Sequence, residues 1–390
     1  MLIGQDITVL GAGIGGLAVA TALAQRGAQV RVLEQADAIR EVGAGLQVSP
    51  NGAVVMKALG LGEALATAAP QARAVELRDF RRGEPVFRME LDREDQPYHL
   101  THRADLIEIL RHAATEAGVA VELGRKVEAV TTDDSATTLT FAGGAEETLP
   151  LVIGADGLQS QARAALNPAT RPFFTGQVAW RCTIPLDATD TPPEAIVHMG
   201  PGRHIVTYPL RGGELMNVVA VEERDGWAAE GWNHKDRPEI LRAAFADFAP
   251  EIRDLLFRAD QVYLWGLFRH PVAKVWGQGR LALLGDAAHP TLPFLAQGAN
   301  MALEDAWVLA DALDQEDDIA TAFTRYQALR KTRCARIVDA ASRNAENYHL
   351  RPGPYRAAAH MALRLGARLA PRLAANRFQW LYGHDVTARR

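Results

Sequence analysis

The residues best suited to acid–base work lie on one short segment, Gly202-Arg-His-Ile-Val-Thr-Tyr-Pro209. On an extended strand His204 and Tyr208 are an even number of positions apart, so both side chains fall on one face. A Tyr and a His that share an enclosed cavity can take the proton from a phenol. The resulting phenolate ring is electron-rich enough to attack an electrophilic oxygen. His289, in Gly285-Asp-Ala-Ala-His-Pro290, is a third candidate for this chemistry. No His is spaced as in H-E-x-x-H, so the sequence implies no metal.

A second constellation is built for binding. Gly11, Gly13 and Gly16 satisfy G-x-G-x-x-G directly after the apolar run Ile7–Leu10 and at the start of a helical stretch, Leu17–Arg26. That order gives a tight turn, lets the backbone approach a pyrophosphate closely, and aims the first N–H groups of a helix at it. Glu34 closes a second strand, Gln29–Glu34, where a carboxylate can accept ribose hydroxyls. The fingerprint predicts a dinucleotide and leaves open which one.

These residues need a scaffold, and the pattern supplies an α/β one. The N-terminal βαβ unit argues for a parallel sheet with helices on both faces, Rossmann-like in form. Ala104–Ala117 has helical spacing, Thr137–Phe141 with Gly143-Gly144 reads as a hairpin, and Leu151–Gly154 and Arg280–Leu284 read as buried parallel strands. Between them the character changes. Val75–Phe80, Val178–Ile184, Arg203–Pro209 and Met216–Val221 read as strands of one mixed sheet laid over the nucleotide part. The expected division is 1–70, 98–170 and 272–335 for the nucleotide domain, 71–97 and 171–271 for an interleaved substrate sheet, and 336–390 for C-terminal helices.

Composition bounds the partners. The chain has 390 residues, 48% hydrophobic and 23% charged, enough for a large core, and a net charge of −5 gives no basic field for nucleic acid or anionic membrane. No run approaches the roughly 20 apolar residues of a membrane span. The two cysteines, Cys182 and Cys334, form no local motif, which favours a reducing, cytoplasmic setting over a disulfide framework. Oligomeric state is left open, a homodimer included.

Taken together, GAGIGG, Leu151-Val-Ile-Gly-Ala-Asp-Gly157 with Ser160 and Arg163, and Arg280-Leu-Ala-Leu-Leu-Gly-Asp286 with Ala-Ala-His-Pro290 resemble the three motifs of the single-component FAD-dependent aromatic hydroxylases. The resemblance spans nearly the whole chain and implies bound FAD, with Asp286 on its ribityl chain and Asp156-Gly157 tied to FAD and nicotinamide use. It also implies that Arg103 and Arg40 neutralise the pyrophosphate. It places Pro293 and the backbone N–H groups of Gly298, Ala299 and Asn300 against the flavin ring. The His204 and Tyr208 pair is similar to that of the 3-hydroxybenzoate and 6-hydroxynicotinate hydroxylases, and the ending Trp380–Asp385 to the tail of salicylate and hydroxynicotinate hydroxylases. The chain departs from some members at Gln47, where they have His. The activity so implied is hydroxylation of a hydroxylated aromatic acid by O2, through a flavin C4a-hydroperoxide, with NADH or NADPH as transient electron donor. The alternative is a flavin reductase or dehydrogenase on the same fold that transfers no oxygen.

Overall fold

The computed structural model describes residues 2–39, 44–91, 93, 95–187, 191–226, 234–369 and 377–388. Its nucleotide half is a six-stranded sheet in the order Gly277–Gln278, Leu281–Leu283, Val152–Gly154, Asp6–Leu10, Gln29–Leu33, Ala120–Glu122. All pairings are parallel except the first, a short antiparallel edge. The strand Asp6–Leu10 is central, which sets the glycine turn that follows it at the C-terminal edge of the sheet, where open α/β sheets bind ligands.

The helix after that turn, Ile14–Ala24, is buried from Ile14 to Leu23. A helix that is apolar all round must be enclosed. Here it is packed against the helices Arg103–Glu116 and Gly298–Gln315. Its small residues permit the approach: a β-carbon at Gly15 would come within 2.7 Å of Leu284 Cδ1.

The other half is an eight-stranded mixed sheet, ordered His234–Asp236, Val262–Arg269, Phe173–Pro185, Leu215–Glu223, Arg203–Leu210, Glu194–Gly200, Ala74–Asp79, Pro85–Glu90. The strand from the first insertion, Ala74–Asp79, pairs in parallel with Glu194–Gly200 from the second, so both insertions build one sheet. Its two faces are dressed differently. Val178, Trp180, Cys182, Ile205, Val218 and Ala220 face the short helices Pro238–Ala244 and Pro250–Phe257, whose Leu241, Ile252 and Leu256 complete that core together with Phe245, the residue after the first helix. Each such large side chain contributes about 1.5–3 kcal/mol when fully buried. The period-2 alternation sends Arg181, His204, Val206, Tyr208, Val219 and Val221 to the opposite face. That face looks onto the nucleotide half.

The 30-residue helix Ile319–Tyr348 runs between the halves. At its start Tyr326 Oη donates to Leu283 O, and Gln327 Oε1 accepts from Trp276 N. Near its end Asn344 donates to Phe294 O. The sequence reading missed the short ladder Gly45–Val48 with His99–His102, which carries Arg103 into the interior. Among the described residues no helix is long and apolar enough to cross a membrane.

Candidate active site

A cavity of about 1590 Å³ lies between the two halves. Single drug-sized ligands occupy roughly 300–1,000 Å³, so this volume has room for a dinucleotide and a second small molecule. Gly13, Ala155, Gly157, Asp286, Gly298 and Ala299 wall one side; Arg181, His204, Tyr208, Val219 and Trp265 wall the other.

The glycine turn is sterically specific. Gly11 has φ +97, and a β-carbon there would meet Ala155 O at 2.6 Å; at Gly16 one would meet Gly11 O at 1.9 Å. Gly13 is the reverse case, with no protein atom within 4 Å of where its β-carbon would stand. Two glycines are therefore needed for packing, and the third leaves open space on the cavity wall. Gly157, at φ +76, is open in the same way.

Asp286 sits at the end of the strand Leu281–Leu283 and opens into the cavity while enclosed by protein on its other sides. Burial pushes its carboxyl above the usual range, opposed by His289 and Arg103. Its position on the cavity wall lets its oxygens accept hydrogen bonds from hydroxyls held there. Behind it Gly285 (φ +59) turns the chain, and the buried Arg163 clamps the turn by donating to Ala287 O, Ala288 O and Pro271 O.

Ala296, in the left-handed region at φ +52, bends the chain from Pro293–Leu295 into the helix that starts at Gly298. Strain at a non-glycine residue of this kind gathers at functional sites. Because the first helical bond is Met301 N to Gln297 O, the N–H groups of Gly298, Ala299 and Asn300 precede the helical ladder. Gly298, Ala299 and Pro293 border the cavity. Asn300 does not border it: its side chain accepts from Ser49 N and donates to Gln47 O and Ala296 O, fastening the helix to its neighbour.

Three other expected site residues occupy different positions. The Asp156 carboxylate accepts from Ser160 Oγ at 2.5 Å and from Gln161 N and Ala162 N, so it caps the helix Gln161–Leu166. Its neighbours Ala155 and Gly157 are the ones on the cavity wall. Glu34 stabilises the glycine turn itself, accepting from Ala12 N at 2.8 Å and Ala36 N at 2.9 Å. His289, expected near the reacting ring, stands behind the wall with Nε2 2.5 Å from Asp305 Oδ2 and its ring against Trp276. Burial alone would lower the His289 imidazole, but Cys334 and Asp305 more than reverse this and hold it raised. It stands off the cavity wall instead of beside the reacting ring, a correction to the placement expected from the sequence. Arg40 lies outside the described residues. Arg103 borders the cavity beside Asp286.

His289 belongs to a buried ionic network that the sequence did not reveal. Glu304 and Asp305 are adjacent on one helix; Arg330 binds both, and Arg333 binds Glu304 in bidentate fashion. Asp305 also accepts from Gly285 N, the residue before Asp286. Burial raises the Asp305 carboxyl, yet His289 and Arg330 bring it down to about 2.

His204 and Tyr208 both reach the cavity, as their spacing predicts. The Tyr208 phenol is pushed up by burial, with Arg181 and Gln47 opposing, so it is a neutral donor near pH 7. The His204 imidazole is held well below its ordinary range by burial and then by His349, so the ring is neutral near pH 7. Nearby, Tyr98 donates to Gln47 Oε1 at 2.5 Å, and Arg181 lies over the Trp265 ring at 4.6 Å. Trp380 and Tyr382 of the C-terminal segment close the wall, with Arg333 donating to Trp380 O and Leu381 O.

A glycine turn on a parallel sheet, facing a second sheet across one shared cavity, is an architecture suited to holding a dinucleotide beside a second small molecule. The chain belongs to the FAD binding domain family, whose model matches residues 5–341. It is 36% identical over 97% of its length to a 3-amino-4-hydroxybenzoate 2-monooxygenase of Streptomyces platensis, covering 96% of that protein. A 6-hydroxynicotinate 3-monooxygenase of Bordetella bronchiseptica is 34% identical, with 85% of this chain and 89% of the relative covered. Among solved structures, Klebsiella pneumoniae HpxO complexed with FAD and uric acid superposes with a TM-score of 0.81 at 28% identity, covering 94% of each chain. These relationships make the protein an FAD-dependent monooxygenase of the aromatic-hydroxylase type. The open positions at Gly13 and Gly157 and the cavity-facing Asp286 fit that cofactor.

Proposed function

We propose that the protein hydroxylates the ring of a hydroxylated aromatic acid, with NADH or NADPH as electron donor and O2 as co-substrate. The observation that carries this reading is the meeting of His204 and Tyr208 with Gly13, Asp286 and Gly298 around one cavity. Bound there, FAD supplies the two-electron chemistry that activates oxygen.

The protein's own groups do the rest. Gly13 and Gly157 leave room for the cofactor, Arg103 offsets phosphate charge, Asp286 accepts from hydroxyls, and the N–H groups at Gly298 and Ala299 favour negative charge beside them. Arg181 gives the substrate side a cation that suits a carboxylate, and Val219, Val221 and Trp265 keep that side apolar. His204 accepts the phenolic proton, while Tyr208 donates a hydrogen bond to the oxygen left behind. The domain division follows the same logic, with the nucleotide part at 1–70, 98–170 and 272–335 and the substrate sheet at 71–97 and 171–271.

The test is a panel of hydroxybenzoates, 3-amino-4-hydroxybenzoate, salicylate and hydroxynicotinates, scored by substrate-stimulated NADH oxidation and by product mass under labelled oxygen. Product heavier by one labelled oxygen atom supports the reading. Reduced substrate with no label would replace it with a reductase.

A further inference from the structure

His204 is the inner end of a chain. Its Nδ1 lies 2.7 Å from His349 Nε2, and His349 Nδ1 lies 2.8 Å from Glu223 Oε1. His204 is 1% exposed and borders the cavity, and His349 is buried behind it. The Glu223 side chain is 49% exposed. A strand, the residue closing a long helix and the end of a neighbouring strand thus form a continuous line of hydrogen bonds from cavity to solvent.

The outer end fixes the direction of that line. A carboxylate only accepts, so His349 holds its proton on Nδ1 and presents Nε2 as an acceptor. His204 then donates from Nδ1, which leaves Nε2 as its basic nitrogen. Burial lowers the His349 imidazole as it does that of His204, with Glu223 acting in the opposite sense. The backbone holds the three in register: Gly202 N donates to His349 O, and Glu223 N donates to Gly202 O. The rings of Phe294 and Tyr348 stand 5.1 and 5.2 Å from the His204 ring and shield the inner junction.

We propose that His204, His349 and Glu223 form a proton relay that carries the phenolic proton of the bound substrate out of the cavity to solvent. The proposal rests on the functional reading above. The substrate O–H bond breaks as an N–H bond forms at His204 Nε2, and the oxygen keeps the electron pair. The Nδ1 proton of His204 passes to His349 Nε2, and the Nδ1 proton of His349 passes to Glu223 and on to water. One proton leaves and no electron moves. A proton returning to the product along the same line restores both starting tautomers. His349 and Glu223 act only through His204, so they are positioning residues.

The experiment mixes FAD-loaded enzyme with 3-amino-4-hydroxybenzoate, 3-hydroxybenzoate or 6-hydroxynicotinate in weak buffer. Stopped-flow absorbance follows ring ionisation, and an indicator dye follows proton release, in H2O and in D2O. Wild-type enzyme is expected to ionise the ligand and release the proton together, both slowed in D2O. Glu223→Gln and His349→Gln are expected to slow both events on the order of tenfold or more, with FAD content and ligand affinity retained. Glu223→Asp restores the rate, and added imidazole rescues the His349 variant. Glutamine variants that release the proton at the wild-type rate overturn the relay alone. Wild-type enzyme that binds none of the three ligands, or binds them without ionisation, overturns the functional reading and the relay with it.

Discussion

Gly45 lies flat against Tyr208: a β-carbon at Gly45 would stand 2.5 Å from Cε2 of the phenol ring. The same glycine donates its N–H to Asn217 Oδ1 at 2.7 Å, and Asn217 is the ladder partner of Tyr208 on the next strand. The nucleotide half thereby fixes the placement of a substrate-side residue by direct contact. Gly45→Ala must move the ring or the ladder, an overpacking that costs about 1–3 kcal/mol. We expect the variant to keep FAD while more of its NADH oxidation yields hydrogen peroxide. The product-to-NADH ratio measures this, and a ratio equal to wild type counts against the contact.

Tyr208→Phe removes the phenolic donor and leaves the ring's packing in place. Reduction of the flavin should still respond to substrate, with coupling to hydroxylation reduced. The decisive comparison is product formed per NADH, because loss of FAD would mean that the residue serves the fold instead.

Asp286→Ala should weaken FAD retention without unfolding the chain, because its carboxylate opens into the cavity. Loss of a hydrogen bond to a charged group is worth about 1.5–3 kcal/mol, or roughly ten- to 150-fold in Kd. Titration of the apoprotein with FAD, followed by flavin fluorescence, gives the value. Asp156→Ala offers a contrast: it should lower Tm through the loss of a helix cap, about 0.5–2 kcal/mol, and leave FAD affinity nearer to wild type.

The Asp305 network predicts a pH signature of stability. With its carboxyl held at about 2, Asp305 stabilises the fold fully above its unfolded value near 3.8, and this contribution fades as pH falls toward 2. His289, raised in the fold, stabilises fully below about 6.5, and its share fades as pH climbs through the folded value. Asp305→Asn breaks a buried pair and should cost about 3–5 kcal/mol. The gap from wild type should be widest between about pH 4 and 6.5. Denaturant melts across pH would show it, and a gap independent of pH would refute the assignment.

Much of this molecule can be read from its sequence where one local signal dominates. The strand, glycine turn and helix at Ile7–Ala24 are fixed by neighbours in the chain, and so is the shared face of His204 and Tyr208 on Arg203–Leu210. What escaped the reading depends on contacts distant in sequence. His349 meets His204 across 145 positions and Glu223 across 126, with no spacing to betray them. Asp156 and His289 show the converse error, since a motif names a position while the packed structure decides where the side chain is used. Glu304 and Asp305 did carry a usable signal, two adjacent acids within the apolar stretch Met301–Ala306.

The helix Ile319–Tyr348 takes on a different meaning in this light. At about 1.5 Å per residue it is roughly 45 Å long, with its first turns bonded to the nucleotide sheet and its last beside His204. It acts as a ruler between the nucleotide sheet, bonded at Leu283 and Trp276, and the histidine pair at its far end. Each residue also sets about 100° of rotation, so an insertion within it would change both the span and the bearing of His349, taking it out of register with His204 while each half kept its own fold.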